Sequence, residues 1–354
     1  MKIFEKVDCK FFKGDVPCAP HKQKGVHCNS CDYYFSVSKK ILIIKLGAAG
    51  DVIRTTPLIP KLRKVFPKSE ITWVTYFPEL VPSIVDRVIK PDMQNVLWLI
   101  STPFDIVFNL DKDREAISLA GLIKAKTKKG FIIKQGKCFP LNASAMHKWK
   151  TGIWDDLTKK NKRSYPEEIF EICGFKFNRE KYILDKPVEF RLKKIKEKRP
   201  LIGLNTGCGM RWPTRLWPDS HWIELIKRLR KNGFGVVLLG GQDEHNKNTR
   251  IAKITGASYL GHFPLTKFVS LVNECDLVVT GVTMALHIGI GLGKKMVLFN
   301  NVFNRHEFEL YGLGEILEPE LKCVACYKQE CKIKCMELIT PERVYRACKK
   351  LLKY

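Results

Sequence analysis

The sequence lacks the long apolar runs that mark membrane spans and secretion signals. No apolar stretch approaches the ~18–20 residues that a membrane span requires. The first residues, MKIFEKVDCKFFKGD, contain no apolar signal core. No internal repeat and no low-complexity tract is visible. We therefore expect a folded protein that is neither secreted nor embedded in a membrane.

Acidic residues are scarce relative to basic ones. The chain has 62 Lys and Arg against 36 Asp and Glu, a formal net charge of +26. An excess of this size says little about the fold, but it indicates an anionic partner. The candidates are nucleic acid, a phosphorylated substrate and the anionic face of a membrane.

Cysteine, by contrast, is abundant, and eight of the 13 cysteines fall in two groups of four. Each group contains a C-x-x-C pair, the spacing that lets two thiolates reach one tetrahedral metal. In a reducing compartment structural disulfides are disfavoured. The groups therefore predict structural zinc or iron, with disulfides and reduced thiols as the alternatives. The N-terminal group is Cys9, Cys18, Cys28 and Cys31, and the C-terminal group is Cys323, Cys326, Cys331 and Cys335.

Two series of strands, turns and helices follow the cysteine-rich residues 1–38. The first opens with a β-branched run and a glycine-rich turn, the start of a doubly wound nucleotide-binding fold. The second opens after a basic linker at 186–199. The predicted strands are 41–46, 71–75, 96–99 and 105–110 in the first series, and 202–205, 235–241, 277–279 and 296–299 in the second.

These series predict an α/β protein with two Rossmann-like domains. The length of 354 residues agrees with roughly 100–200 residues per domain. The predicted boundaries are 1–38 for a cysteine-rich module, 39–190 and 191–338 for the two domains, and 339–354 for a C-terminal helix that starts at Thr340-Pro341.

The first glycine-rich turn does not carry the dinucleotide fingerprint. GAAGDVIRTTP departs from G-x-G-x-x-G, and no acidic residue closes the next strand. A hydride-transfer enzyme is therefore disfavoured. Asp51 lies instead at the strand-to-helix turn, at the carboxyl edge of the sheet where such folds bind ligands. The alternative role for Asp51 is to cap the helix that begins near Val52.

Polar residues and glycines also follow the strands of the second series. Residues 283–286 open a small-residue helix whose positive end suits a pyrophosphate. Arg215 and His287 could add positive charge where a leaving group becomes negative. Simpler alternatives are a His287 packed between helices and a Glu244 that favours a helix N-terminus.

Four motifs in register resemble the family 9 glycosyltransferases, the bacterial heptosyltransferases of lipopolysaccharide core synthesis. They read G-D-V-I-R-T-T-P at 50–57, R-L-W-P…H-W at 215–222, G-G-x-x-E at 240–244 and T-x-x-x-H…L-G-K at 283–294. The segment C-x-x-C…C…C…I-T-P-E-x-V at 323–344 is similar to the family's tail. The likeness runs from about residue 40 to 350, and residues 1–38 resemble an extra module of some relatives only.

This resemblance implies a GT-B fold, in which two Rossmann-like domains face a central cleft. It implies transfer of a heptose or a related sugar, with inversion, from a nucleotide-diphosphate sugar such as ADP-heptose to an anionic lipopolysaccharide core acceptor. No cofactor or metal is required for catalysis in the family. Asp51 matches the family's general base. The donor positions it implies are Thr206 and Arg215 at the phosphates, Glu244 near the ribose, and Thr283, Met284, Ala285 and Leu286 at the phosphate-binding turn. His287, in the same motif, is expected to face the donor.

Departures from the family pattern leave the donor open. Val282 and Met284 stand where the family reads Asp and Gly on either side of the threonine. Arg215 stands where lysine is common, which preserves the charge but not the shape. The sugar and the nucleotide could therefore differ from those of the family.

The basic surface implies a cytoplasmic protein peripheral to the inner membrane, held to anionic headgroups by electrostatics. Residues 124–129 are a lysine-rich stretch suited to this contact. Two other functions fit the sequence: the same fold glycosylating a protein or another surface glycan, and a nucleic-acid-binding protein with a zinc module. The last is disfavoured because no recognition helix and no aromatic-basic stripe appears, so we expect no nucleic acid.

Overall fold

The computed structural model describes residues 5–187, 195, 197–209 and 212–354. Its helices are α1 Ala19–Lys24, α2 Ala49–Thr55, α3 Leu58–Val65, α4 Met93–Ser101, α5 Arg114–Leu122, α6 Ala143–Ile153, α7 Asp155–Lys160, α8 Tyr165–Cys173, α9 Asp219–Lys231, α10 His245–Thr255, α11 Leu265–Glu274, α12 Met284–Gly291 and α13 Pro341–Leu352. Its strands are β1 Lys39–Ile44, β2 Ser69–Val74, β3 Arg87–Ile89, β4 Phe104–Asn109, β5 Ala125–Lys134, β6 Lys137–Pro140, β7 Leu201–Asn205, β8 Gly235–Leu239, β9 Leu277–Gly281, β10 Lys295–Phe299 and β11 Gly314–Leu317.

The chain divides into two compact units, and each is interrupted in sequence. The first comprises Met1–Gly47, Leu58–Pro78 and Ser83–Met146. The second comprises Ala48–Pro57, Glu79–Pro82 and His147–Tyr354, so helix α2 with Asp51 groups with the second unit. The predicted boundary between residues 190 and 191, and much of the predicted linker at 186–199, lie outside the described residues. The domain limits drawn from the sequence stay predictions.

The first unit is built on a six-stranded sheet of order β3-β2-β1-β4-β5-β6. Strand β1 pairs in parallel with both β2 and β4, and β6 pairs antiparallel with β5. Ile41 to Ile44 are fully buried, because a parallel strand covered on both faces needs a continuous apolar run. That run is the sequence signal that predicted this strand.

The second unit is built on a five-stranded parallel sheet of order β11-β10-β9-β7-β8. Strand β7 lies between β8 and β9, so the strand order reverses there. In open α/β sheets ligands bind beside the carboxyl ends of the strands at such a switch point. The two sheets, parallel except for β6, confirm the predicted α/β class with two Rossmann-like domains; the cysteine-rich module at 1–38 stays a prediction. None of the helices in the described ranges is long and apolar enough to cross a bilayer.

One predicted strand is wrong. Residues 96–99 lie in helix α4, not in a strand. The side chain of Asp92 caps this helix by accepting a hydrogen bond from the backbone N–H of Asn95, at 2.9 Å. Val96, Leu99 and Ile100 face one core, which is the i, i+3, i+4 spacing of a helix. The remaining predicted strands coincide with observed ones to within a few residues.

Candidate active site

Residues that follow β7, β8 and β9 lie side by side in the second unit. Thr206 follows β7, is buried, and donates its hydroxyl hydrogen to Oδ1 of Asn248 on α10 at 2.6 Å. The ammonium of Lys247 donates to the carbonyl oxygen of Thr206 at 2.8 Å. The turn after β7 is therefore tied to the first turns of α10.

Helix α12 begins at a hydrogen-bonded threonine cap. The amide of Asn205 donates to the hydroxyls of Thr280 at 3.0 Å and Thr283 at 3.3 Å. The Thr283 hydroxyl accepts from the backbone N–H of Ala285 at 3.2 Å, and the Thr283 carbonyl accepts from that of Leu286 at 3.1 Å. An anion that used these two N–H groups would have to replace the cap bonds.

Glu244 precedes α10 and fills the space that two glycines leave. Its carboxylate accepts from the backbone N–H of Gly241 at 2.8 Å. A Cβ at Gly207 would lie 2.1 Å from Oε1 of Glu244, and one at Gly240 would lie 2.7 Å from its Cβ. Glu244 thus lies at the N-terminus of α10, as the simpler alternative predicted, and it also lies beside the turn after β7.

Arg215 connects the turns after β7 and β9. Its guanidinium donates to the carbonyl oxygens of Cys208 and Val282 and lies 5.3 Å from the centre of the Phe303 ring. Burial lowers the pKa of Arg215, and Cys208 opposes this effect. Its Nε has no hydrogen-bond partner among the described residues. Arg215 therefore holds the main chain directly before Thr283.

Asp51 lies in the first turn of α2 but does not cap it. The cap position is Ala48, so the capping role considered for Asp51 is wrong. Oδ1 of Asp51 accepts from Arg54 Nε at 2.9 Å and Nη2 at 2.8 Å. Arg54 lies 3.5 Å from the centre of the Tyr165 ring. Burial opposes the Arg54 charge, but Asp51 and its other neighbours raise the pKa of Arg54 overall.

His287 connects α12 to α2. It is 5% exposed, and a Cβ at Gly50 would lie 2.5 Å from its Cδ2, so only glycine fits there. Burial and the Arg54 charge lower the pKa of His287 to about 3, while Asp51 opposes this. Its Nδ1 has no hydrogen-bond partner in the part of the chain that the structure describes. Burial and Arg54 thus favour the neutral ring in the folded chain, and the contribution of positive charge by His287 stays a prediction.

This arrangement combines a half-exposed carboxylate with cations and a helix N-terminus in one unit. Such a set suits proton removal by Asp51 and stabilisation of an anionic leaving group.

A model of "Glycosyltransferase family 9 (heptosyltransferase)" matches residues 102–337, more than half of the chain. The chain belongs to glycosyltransferase family 9. As a member of that family it is a glycosyltransferase, as the motifs predicted.

Relatives of this family 9 glycosyltransferase are similar over different lengths. Lipopolysaccharide heptosyltransferase 2 of Salmonella typhimurium is 28% identical over 110 residues, 29% of this chain and 31% of that protein. This chain therefore spans less than a third of that relative's length in the match. Lipooligosaccharide heptosyltransferase 2 of Haemophilus ducreyi is 24% identical over 300 residues, 72% of this chain and 80% of that protein.

A solved structure agrees with the fold. That of E. coli ADP-heptose lps heptosyltransferase II has a TM-score of 0.66 at 19% identity, and the match covers 89% of this chain and 98% of that one. At this identity the likeness establishes the shared fold of the family 9 glycosyltransferases.

Sequence reasoning missed the residues that hold the predicted ones in place. Arg54 stands three residues after Asp51, the spacing at which side chains on a helix meet, so the pattern could have identified it. Gly50, Asn205 and Asn248 act through contacts between elements that are distant in sequence. No local pattern reveals those contacts.

The cysteines of the N-terminal group line one cavity, together with His27. Among the described residues, no three or more His, Cys, Asp or Glu side chains are arranged to hold a metal ion. Structural zinc or iron at Cys9, Cys18, Cys28 and Cys31 therefore stays a prediction.

Elemental analysis of protein purified without added metal tests this prediction. We expect one metal per chain, lost in Cys28→Ser/Cys31→Ser and retained in Cys138→Ser, which changes a cysteine outside both groups. Metal-free wild-type protein with full activity would contradict it.

Proposed function

We propose that this protein is an inverting glycosyltransferase that transfers a heptose, or a related sugar, from ADP-heptose to a lipopolysaccharide core acceptor. Family membership together with the placement of Asp51 beside the donor-side helix α12 carries the proposal. The names of the relatives from Salmonella and Haemophilus and of the E. coli structure support the sugar, the donor and the acceptor class.

In the proposed reaction Asp51 acts as general base. Its carboxylate takes the proton of the acceptor hydroxyl as that oxygen forms a bond to the anomeric carbon. The bond from the anomeric carbon to the diphosphate breaks, and the nucleotide diphosphate leaves with the electron pair. Attack opposite to the leaving group inverts the anomeric centre, and no metal is needed to balance the step.

The donor's phosphates are proposed to bind where Arg215, Thr206 and α12 converge. Arg215 donates to the carbonyl oxygen of Val282, directly before Thr283, and both this cation and the N-terminal end of α12 favour an anion. Thr206 to Gly207 form the turn beside Glu244, the residue proposed to bind the ribose. His287 is proposed to contribute a neutral ring surface rather than charge.

Arg54 is proposed to orient the base. The Nε and Nη2 atoms of Arg54 both contact Oδ1 of Asp51, and stacking on the Tyr165 ring holds the guanidinium in place. A fixed carboxylate loses less orientational freedom on reaching the reacting geometry.

A panel of nucleotide sugars tests the donor by thermal shift. A ligand that binds only the folded state stabilises it by about 2.7 kcal/mol at 100 times its Kd. We expect ADP-heptose to raise Tm by several degrees, and UDP- and GDP-sugars to leave it unchanged. Glu244→Gln should reduce the ADP-heptose shift, whereas Glu224→Gln, an exposed glutamate on α9, should not.

Each result of this panel has a distinct meaning. A shift with a different nucleotide sugar would overturn ADP-heptose as donor and leave the glycosyltransferase intact, consistent with the Val282 and Met284 departures. Transfer assays with purified core lipid against proteins and other surface glycans then identify the acceptor. Transfer to a protein but not to core lipid would overturn the proposed acceptor.

The proposed acceptor is lipid-anchored and anionic, and the chain carries a net charge of +26. We therefore propose peripheral contact with an anionic membrane surface, which high salt weakens because it screens exposed charges.

A further inference from the structure

Helix α4 of the first unit packs one apolar side into a core and also exposes three large apolar side chains. Val96, Leu99 and Ile100 belong to a buried core. On the other side Met93 is 73% exposed, Leu97 54% and Trp98 36%. The nine residues MQNVLWLIS contain no charged side chain. Gln94 and Ser101 are also exposed on this helix, so its exposed apolar surface consists of Met93, Leu97 and Trp98.

Basic side chains border this outward side. The guanidinium of Arg87 lies 4.7 Å from the centre of the Trp98 ring. The Trp98 ring lies 6.3 Å from that of Phe104, whose backbone N–H donates to the carbonyl of Lys124 at 3.0 Å. Lys90 and Lys124 are exposed. Arg87 thus places a cation against Trp98, and Lys90 and Lys124 are exposed directly after β3 and directly before β5.

Two carboxylates, Asp92 and Glu70, also lie near this side. Asp92 accepts from the backbone N–H and the side-chain amide of Asn95, at 2.9 and 3.0 Å, as the cap of α4. Glu70 lies 3.8 Å from Arg87, a distance at which an exposed ion pair contributes little. The three cations Arg87, Lys90 and Lys124 outnumber these two carboxylates.

We propose that Met93, Leu97 and Trp98, the α4 face, dock on the surface of an anionic lipid bilayer. The three side chains enter the boundary between headgroups and acyl chains, and Arg87, Lys90 and Lys124 contact lipid phosphates. This proposal extends the membrane contact proposed above by naming its surface and adding an apolar component to it.

The size and chemistry of the α4 face favour a bilayer over a second copy of the chain. Three side chains cover far less than the ~800 Å² per partner of a stable protein interface. In a symmetric dimer the same basic border would meet itself and repel. Tryptophan is enriched at the membrane–water interface, where interfacial helices bury their apolar side chains only ~5–10 Å deep.

Flotation of the full-length protein with vesicles tests the proposal. We expect binding to phosphatidylethanolamine–phosphatidylglycerol vesicles and little binding to phosphatidylcholine. Met93→Ser/Leu97→Ser should lower binding to the anionic vesicles about tenfold or more, since two exposed apolar side chains are lost. Trp98 is left unchanged because it packs against Phe104. Ile254→Ser/Leu338→Ser is the matched control, with exposures of 51% and 49%, and should bind like wild type.

A second pair of variants separates the apolar from the electrostatic component. Lys90→Glu/Lys124→Glu should weaken vesicle binding at low salt. At high salt wild type should keep some binding through its apolar side chains, and Met93→Ser/Leu97→Ser should lose that remaining binding. If Met93→Ser/Leu97→Ser binds vesicles as well as wild type does, docking through the α4 face is wrong, while the electrostatic contact stands. If wild type binds no vesicle, both are wrong. A concentration-dependent dimer in sedimentation that Met93→Ser/Leu97→Ser abolishes would assign the face to a second copy and overturn the proposal.

Discussion

Replacing Asp51 by Asn is expected to lower kcat about 10³-fold while the KM for the donor stays within a factor of two or three. The amide cannot accept the hydroxyl proton, but its oxygen can still accept the hydrogen bonds that Arg54 gives to Oδ1. Asn is therefore a better test than Ala, which would leave the Arg54 guanidinium without this acceptor. Initial rates with purified donor and acceptor, together with urea denaturation, measure both effects.

The matched control is Asp105→Asn. Asp105 is also an aspartate paired with a cation, since Lys126 donates to it at 2.7 Å, but it lies at the start of β4 in the first unit. Its variant should keep normal turnover. Near-normal turnover of Asp51→Asn would contradict the role of Asp51 as base without affecting the family assignment. Loss of donor binding in that variant would show that Asp51 acts in binding instead.

The fold could be predicted from the sequence where an apolar run is continuous or where a helix begins with a recognisable N-cap residue. The run Ile41 to Ile44 predicts a strand buried on both faces, and Thr340 with Pro341 predicts the start of α13. Residues 96–99 were misassigned because four apolar residues fit both a buried strand and a helix. The cap residue Asp92, together with the helical spacing of Val96 and Leu99, was the signal that distinguishes the two.

The site could be predicted only as a set of separate residues. The family resemblance singles out Asp51, and it also singles out the donor positions at the ends of β7, β8 and β9. It does not show that Gly50 lies against His287, because that contact depends on how α2 packs on α12. The charge state of His287 also follows from burial, which no local pattern determines.

The buried ring of His287 makes the stability of the protein depend on pH. In the folded chain burial first, and then the Arg54 charge, lower its pKa from 6.5 to about 3, with Asp51 opposing. The unfolded chain binds a proton as the pH falls below 6.5, and the folded chain does not until about pH 3. The stabilisation is therefore complete above pH 6.5 and is lost as the pH falls. Between pH 7.5 and pH 5 we expect this residue to lower the free energy of unfolding by about 2 kcal/mol.

His287→Gln isolates this effect, because glutamine does not titrate. Urea denaturation at pH 7.5 and pH 5 should show a decrease in unfolding free energy that is smaller in His287→Gln than in wild type, by ~2 kcal/mol. His262→Gln, which changes an exposed histidine, should follow wild type. Equal pH dependence in His287→Gln and wild type would mean that the ring titrates normally and is in contact with water. The close packing of His287 on Gly50 would then be wrong, and with it the packing that places Asp51 beside the N-terminal half of α12.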